Sequence, residues 1–342
     1  MDWFERITGF HEEGYAATRA RLLVDDGHLV STVNGRRHAV GRFETPTLGA
    51  LRSRPMPGPP NPGRPTRVSL LTGDARALHR DPAFAGATFQ VASQFNALEM
   101  VGPHVTPEHG VTGYMHDATQ GPACAIAAGA ATIWRNYFAP VGGGHGQTAE
   151  RQIDTLAGLG AALAGQLGRP LHTLWRMRNG YALATADGLR AIGQALRAAP
   201  EAQLQALRAE LAVAWHRDVE VTDGPDEGRP RVSQVFCSAL PVAYTPLPAA
   251  EWEPFARLVL EAAYEATLRI AAATAAAGGS ATVLLTRLGG GAFGNADGWI
   301  DDAIGRALQG AALDGLDVRL VSFRADHPGF AGIAQRWAAR AG

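Results

Sequence analysis

Thr282-Val283-Leu284-Leu285-Thr286-Arg287-Leu288 runs directly into Gly289-Gly290-Gly291-Ala292-Phe293-Gly294-Asn295. The first part is an apolar segment of strand length, and the second is a glycine-rich turn. A helix is expected from near Asp297, because Trp299, Ile300, Ala303, Ile304 and Leu308 recur at the spacing of one helical face. Strand, glycine turn and helix N-terminus together form an anion site. Glycines let backbone N–H groups approach a ligand, and the helix dipole adds about half a positive charge. The guest this implies is a phosphate or diphosphate, part of a nucleotide. Gly289-x-Gly291-x-x-Gly294 also matches the dinucleotide fingerprint. A Rossmann domain, however, needs several strands after that turn, and only one is left before residue 342. A purely structural turn stays open, although adjacent glycines carry an entropic cost that a ligand would explain.

Outward from this unit, strands alternate with helices. Strands are expected at 67–71, 89–92, 232–238, 283–286 and 318–323. Helices are expected at 122–138, 147–167, 188–198, 201–215, 252–277 and 299–308. That alternation indicates an α/β sandwich, three layers thick, around a mixed central sheet. Residues 174–183 are expected to be extended about an Asn179-Gly180 turn. The first fifty residues carry short strands divided by Asp26-Gly27 and Asn34-Gly35, dipeptides that tolerate the positive φ of hairpin turns. The run Pro55-Met56-Pro57-Gly58-Pro59-Pro60-Asn61-Pro62-Gly63 is a stiff linker. The expected division is a β-rich segment over 1–54, a Pro/Gly linker over 55–66, and an α/β domain over 67–342.

Composition narrows the function classes. Of 342 residues, 46% are hydrophobic and 18% charged, enough to build a sizeable core. Lys+Arg is 31 and Asp+Glu is 32, so charge does not indicate nucleic acid or an anionic membrane as partner. The N-terminus shows no signal-peptide pattern, and the longest apolar run, 270–279, is too short to span a bilayer. With Cys124 and Cys237 as the only cysteines, a reducing cytoplasm is expected. Abundant alanine, glycine and arginine with little lysine reads as bacterial codon bias. No metal or cofactor is expected. His104, His109 and His116 have no zinc-site spacing and read as loop histidines.

Further candidates lie at expected strand ends and helix starts. Gln94 and Asn96 stand at the carboxyl end of the 89–92 strand, where open α/β sheets bind ligands, and their amides suit ribose hydroxyls. Asp117 or Thr119 would cap the helix that follows, leaving amides near Gly121 free for an anion. Cys124 would then lie near a positive helix end, or else serve as a small buried residue. The run Gly142-Gly143-Gly144-His145-Gly146 precedes a polar stretch with Gln147, Glu150, Gln152 and Asp154, which would act as a lid or a connector.

The order Gly73-Asp74 after a strand, Gln94-Phe95-Asn96 after the next, and the 289–295 loop on the last helix–strand unit resembles the macrodomain, the ADP-ribose-binding module. The resemblance covers about 68–140 and 230–325, which implies a helical insertion at about 141–229 and an N-terminal extension over 1–54. Asp74 matches the family's aspartate for the adenine amino group. Asn96 matches the asparagine run near the distal ribose. Gly290-Gly291-Ala292-Phe293-Gly294 looks like the diphosphate loop in its poly(ADP-ribose) glycohydrolase version, with Phe293 near the proximal ribose. The 232–238 strand with Leu240-Pro241 is similar to the family's central strand. Two departures stand out. Gly110-Val111-Thr112 and Gln120-Gly121-Pro122 replace the first glycine-rich catalytic loop, and the paired glutamates of the glycohydrolases are missing.

The resemblance therefore implies binding of ADP-ribose, or of an ADP-ribosylated macromolecule, more strongly than it implies hydrolysis. Asp74 would take the adenine. Gly121 and Gly289, Gly290, Gly291, Ala292, Phe293, Gly294 and Asn295 would take the diphosphate, with Cys124 beside them, and Gln94 and Asn96 the ribose end. If the chain removes ADP-ribose by water attack, Asp117 is the first candidate carboxylate, with Gln147 and Asp154 behind it. A non-catalytic reader and a nicotinamide oxidoreductase are the alternatives.

Overall fold

The computed structural model describes residues 1–55, 64–225, 227–312 and 314–341; residues 56–63 of the expected linker lie outside the described residues. Seven strands make the main sheet: β1 (Arg42–Glu44), β2 (Arg67–Thr72), β3 (Thr88–Ala92), β4 (Ala214–Glu220), β5 (Arg231–Cys237), β6 (Thr282–Leu285) and β7 (Asp317–Ser322). Their spatial order is β1-β4-β5-β3-β6-β7-β2. From β5 to β2 every neighbour is parallel, and β4 and β1 close the other edge antiparallel.

Both faces of the sheet are covered, so its strands read as continuous apolar runs. Val283 and Leu285 face a core built on the helix Ala249–Ala276, together with Val235, Cys237, Val318 and Leu320. Leu284 points the other way, into a cluster with Phe89, Leu78, Ala128 and Ala131. The chain is thus an α/β protein with three layers and a mixed sheet. Among the described residues, no helix is long and apolar enough to cross a membrane.

The expected helix after the glycine turn spans Asp297–Gly310 and buries Trp299, Ile300, Ala303, Ile304 and Leu308. Asn179-Gly180 is a two-residue hairpin turn with φ of 47° and 79°, pairing Arg178 with Tyr181. Asp26-Gly27 turns in the same way, with φ of 44° and 71°.

Three expectations differ from the structure. The 122–138 helix is two helices, Gln120–Ala127 and Gly129–Tyr137, broken at Ala128. At Gly129 a Cβ would fall 2.6 Å from Ile7 Cδ1, so the break admits the N-terminal helix Trp3–Thr8. The 147–167 helix begins only at Ala157, because Gln147, Gln152 and Asp154 spend their side chains holding loops. The 201–215 helix stops at Ala209, and Trp215 lies in β4. Helical periodicity there continues past the point where pairing with β5 takes over. A strand of the main sheet thus falls within residues expected to form a helical insertion, and β1 of the N-terminal segment sits at the sheet's edge.

Candidate functional site

The cleft opens where two central strands part. β3 and β6 pair only at Thr88↔Val283 and Phe89↔Leu284. Beyond that point, side-chain amides replace the ladder. The Thr286 N–H donates to Gln90 Oε1 at 3.3 Å, while Gln90 Nε2 donates to Thr267 Oγ1 of the long helix. Gln120 accepts from the Ala92 N–H at 2.9 Å and donates to the Gln90 carbonyl at 2.8 Å, so it occupies the place of a neighbouring strand. The gap between is a cleft of about 470 Å³ at the carboxyl ends of the parallel strands, the usual ligand position in such sheets.

One wall is the loop after β6. Tyr264 of the long helix fixes its start, donating to the Thr286 carbonyl at 2.7 Å and accepting the Leu288 N–H at 2.9 Å. Gly289 and Gly294 have φ of 73° and 71°, and a Cβ on Gly289 would lie 2.4 Å from Ala239 Cβ. The Gly294 N–H donates to the Gly291 carbonyl and the Asn295 N–H to the Gly289 carbonyl, which folds the loop on itself. Among the described residues, the amides of Gly289, Gly291, Ala292 and Phe293 meet no protein acceptor. Gly289, Gly291, Ala292 and Phe293 line the cleft.

The rest of this sequence-expected unit is used otherwise. Gly290, Gly294 and Asn295 do not line the cleft. Asn295 is buried and donates to the Leu240 carbonyl. The N-terminus of the 297–310 helix is also outside the lining, and Asp297 there is paired with Arg287 at 2.8 Å.

The opposite wall is the start of the helix Gln120–Ala127. Asp117 lines the cleft and accepts the Thr119 N–H at 2.9 Å. The amides of Gln120 and Gly121 have no protein acceptor among the described residues. This wall is a second patch of backbone donors carrying the positive end of a helix dipole. Cys124 is turned away from it: the residue is fully buried, and burial pushes its thiol up, not down.

The ends of the cleft differ in chemistry. Asp74 follows β2 and lines one end, where its Oδ1 caps the helix Ala75–Arg80 by accepting the Ala77 N–H at 3.0 Å. Phe323, 57% exposed, also lines the cleft and follows Ser322, whose carbonyl accepts the Gly73 N–H at 2.9 Å. At the other end, beyond β3, lie Ser93, Gln94 and Glu99. Gln94 Oε1 accepts the Met100 N–H at 2.8 Å, and its Nε2 has no protein acceptor among the described residues. Tyr181, Tyr244 and Phe293 pack as a triangle with ring centroids 5.1–5.5 Å apart, and all three line the cleft.

Three further sequence candidates lie outside the lining. Asn96 is fully buried, accepting the Leu98 N–H and donating to Gln152 at 2.8 Å. Gln147 is fully buried too, donating to the carbonyls of Asn96 and Arg135. Asp154 is exposed and accepts the Leu156 N–H at 2.9 Å. Asn96 and Gln147 hold the loop that presents Gln94 instead of facing the cleft, and Asp154 serves its own turn.

Glu99 was not among the sequence candidates. It lines the cleft at 2% exposure, with Arg135 Nη2 3.4 Å from its carboxylate and its own N–H donating to the Tyr114 hydroxyl at 3.1 Å. Burial pushes its carboxyl up to about 8, more than Arg135 lowers it. The available sequence signal is a lone acidic residue inside the apolar run Ala97-Leu98-Glu99-Met100. Phe323, Tyr181 and Tyr244 were also missed, and each has an ordinary aromatic context in the sequence.

No protein-family model and no curated protein matches the chain. Among solved structures it is similar to the poly(ADP-ribose) glycohydrolase of Deinococcus radiodurans in complex with ADP-ribose. That match has a TM-score of 0.45 and 13% identity, covering 97% of this chain and 99% of that one. It is also similar to the poly(ADP-ribose) glycohydrolase of Thermomonospora curvata, with a TM-score of 0.44 and 15% identity, covering 94% of this chain and 97% of that one.

Proposed function

We propose that the cleft binds ADP-ribose, free or attached to a macromolecule, and that the chain has a macrodomain-like build. One observation carries the reading: two patches of unpaired backbone amides, those of Gly289, Gly291, Ala292 and Phe293 and those of Gln120 and Gly121, line one cleft from its two walls. Donors arranged in this way suit a diphosphate, which offers acceptor oxygens on both flanks. Asp74 supplies a carboxylate that accepts from an exocyclic amine, and Phe323 beside it supplies a stacking face for the base. At the far end, Ser93 and the free Nε2 of Gln94 suit sugar hydroxyls. Residues 1–54 and about 141–229 belong in this reading to an extension and an insertion that brace the cleft, with Tyr181 as the insertion's contribution to its wall.

Calorimetry with ADP-ribose, with NAD as a comparison, tests the proposal. Gly291 provides the matching variant. A Cβ there meets nothing within 4 Å and the residue has no positive φ, so Gly291→Trp fills the cleft without straining the fold. ADP-ribose should bind the wild type better than NAD does, and G291W should lose binding while keeping its melting temperature. Absence of heat from the wild type, or unchanged affinity in G291W, contradicts the reading.

A further inference from the structure

The hairpin of strands Trp175–Arg178 and Tyr181–Ala184 meets the cleft through its tip. The Phe95 N–H donates to the Gly180 carbonyl at 3.0 Å, and a Cβ on Gly180 would come 2.7 Å from Gln94 Cβ. The turn is therefore pressed against the loop that presents Gln94. The two faces of the hairpin are used differently. Trp175, Met177 and Ala182 pack on the main core. The other face carries Tyr181, which lines the cleft, and Arg178 directly opposite it. Cross-strand partners of this kind point to the same side, with Cβ atoms about 5 Å apart. Arg176 follows on that side, opposite Leu183 and about 7 Å further along the strand. Both arginines are exposed and lie outside the cleft lining. Trp175–Arg178 pairs with Tyr181–Ala184 alone, so among the described residues its other edge carries no strand.

Resting on the ADP-ribose reading above, we propose that this hairpin is a docking surface for the carrier of the ADP-ribose, and that the carrier is an extended acidic peptide segment. Strand geometry and charge complementarity carry the choice. Acidic side chains at alternate positions of an extended peptide recur about every 7 Å, the spacing of Arg178 and Arg176. A peptide laid along the open edge of Trp175–Arg178 adds a strand there. Its backbone supplies hydrogen bonds, and its carboxylates stand opposite the two guanidiniums. A nucleic acid offers phosphates to the arginines but no row of N–H and carbonyl groups to the edge. The place also suits the bound ligand, because the tip of the hairpin abuts the loop of Gln94 at the sugar end, where a carrier is attached.

The test compares two peptides on the full chain, each with ADP-ribose on one serine, with either glutamates or lysines at alternate flanking positions. The wild type should bind the glutamate peptide about tenfold more tightly, as two exposed ion pairs allow, and the difference should shrink as salt is raised. The double variant Arg176→Glu, Arg178→Glu should prefer the lysine peptide. Its affinity for free ADP-ribose and its melting temperature should stay those of the wild type, since both side chains are exposed and neither lines the cleft. A wild type that binds free ADP-ribose but takes both peptides equally overturns the proposal and leaves the binding reading intact. An unchanged preference in the double variant also overturns it. So does an ADP-ribosylated oligonucleotide that binds the wild type more tightly than the glutamate peptide and loses that advantage in the double variant. A wild type that gives no heat with ADP-ribose overturns the binding reading and this proposal together.

Discussion

Gly121, Gly289 and Gly291 differ in what their missing side chains permit. At Gly121 the absence allows a helix to touch β3, at Gly289 it allows a left-handed turn against Ala239, and at Gly291 an added Cβ would meet only open space. Gly121→Ala should therefore cost about 1–3 kcal/mol of stability, as overpacked contacts do, because the nearest atom is a backbone carbonyl with little freedom to yield. A urea midpoint equal to that of the wild type would contradict this. The sequence marks all three as glycines in polar or glycine-rich surroundings and does not separate them. Similarly, Gln94 and Asn96 are equivalent amides on paper. Their different partners, the Met100 N–H for Gln94 and Gln152 for Asn96, leave one at the cleft and the other fully buried.

At the scale of elements, the site is a seam between strands held open by side chains from other layers. Tyr264 is the clearest such tie, since one hydroxyl serves two backbone groups at the start of the glycine loop. Tyr264→Phe should remove one of the two acceptors of the Leu288 N–H, which keeps the Thr286 carbonyl, together with the donor to that carbonyl, and cost about 0.5–1.5 kcal/mol. ADP-ribose affinity should fall in the same variant, because the loop amides lose their fixed position. Chemical denaturation and calorimetry check the two effects separately, and an unchanged affinity would remove the tie from the site's support. The strand, turn and helix of 282–310 were legible because each has its own local signal: an apolar run, positive-φ glycines and one apolar helical face. β4 was not legible, since its residues follow a helix with no turn signal and take strand form through pairing with β5 and β1.

At the scale of the whole molecule, the N-terminal hairpins are clamped to the main sheet through Glu220 at the end of β4. Its carboxylate accepts from the Ala39 N–H at 2.8 Å, from Arg229 at 2.8 Å and from His38 at 3.0 Å. Burial by itself would raise this carboxyl, but the three donors outweigh it and hold the group down at about 2, against an ordinary 4.5. A depressed carboxyl contributes stability above its unfolded value and loses it as pH falls toward its folded value. Glu220→Gln should thus be less stable than the wild type at neutral pH by about 1–3 kcal/mol, with the gap closing between pH 4.5 and pH 2. A gap that stays constant with pH, followed by thermal melts, would show that the carboxylate is not the source.

The sequence by itself determined the α/β alternation, the glycine loop after β6 and the place of Asp74 just after β2, because each depends on residues that are neighbours along the chain. The tertiary structure alone decided that β3 and β6 part, that Asn96 and Gln147 are buried in loops and Asp154 lies outside the cleft lining, and that Glu99 lines it. Those outcomes depend on which distant backbone or side chain supplies the missing hydrogen-bond partner and on where a glycine lets two elements touch. Neither is encoded in local spacing.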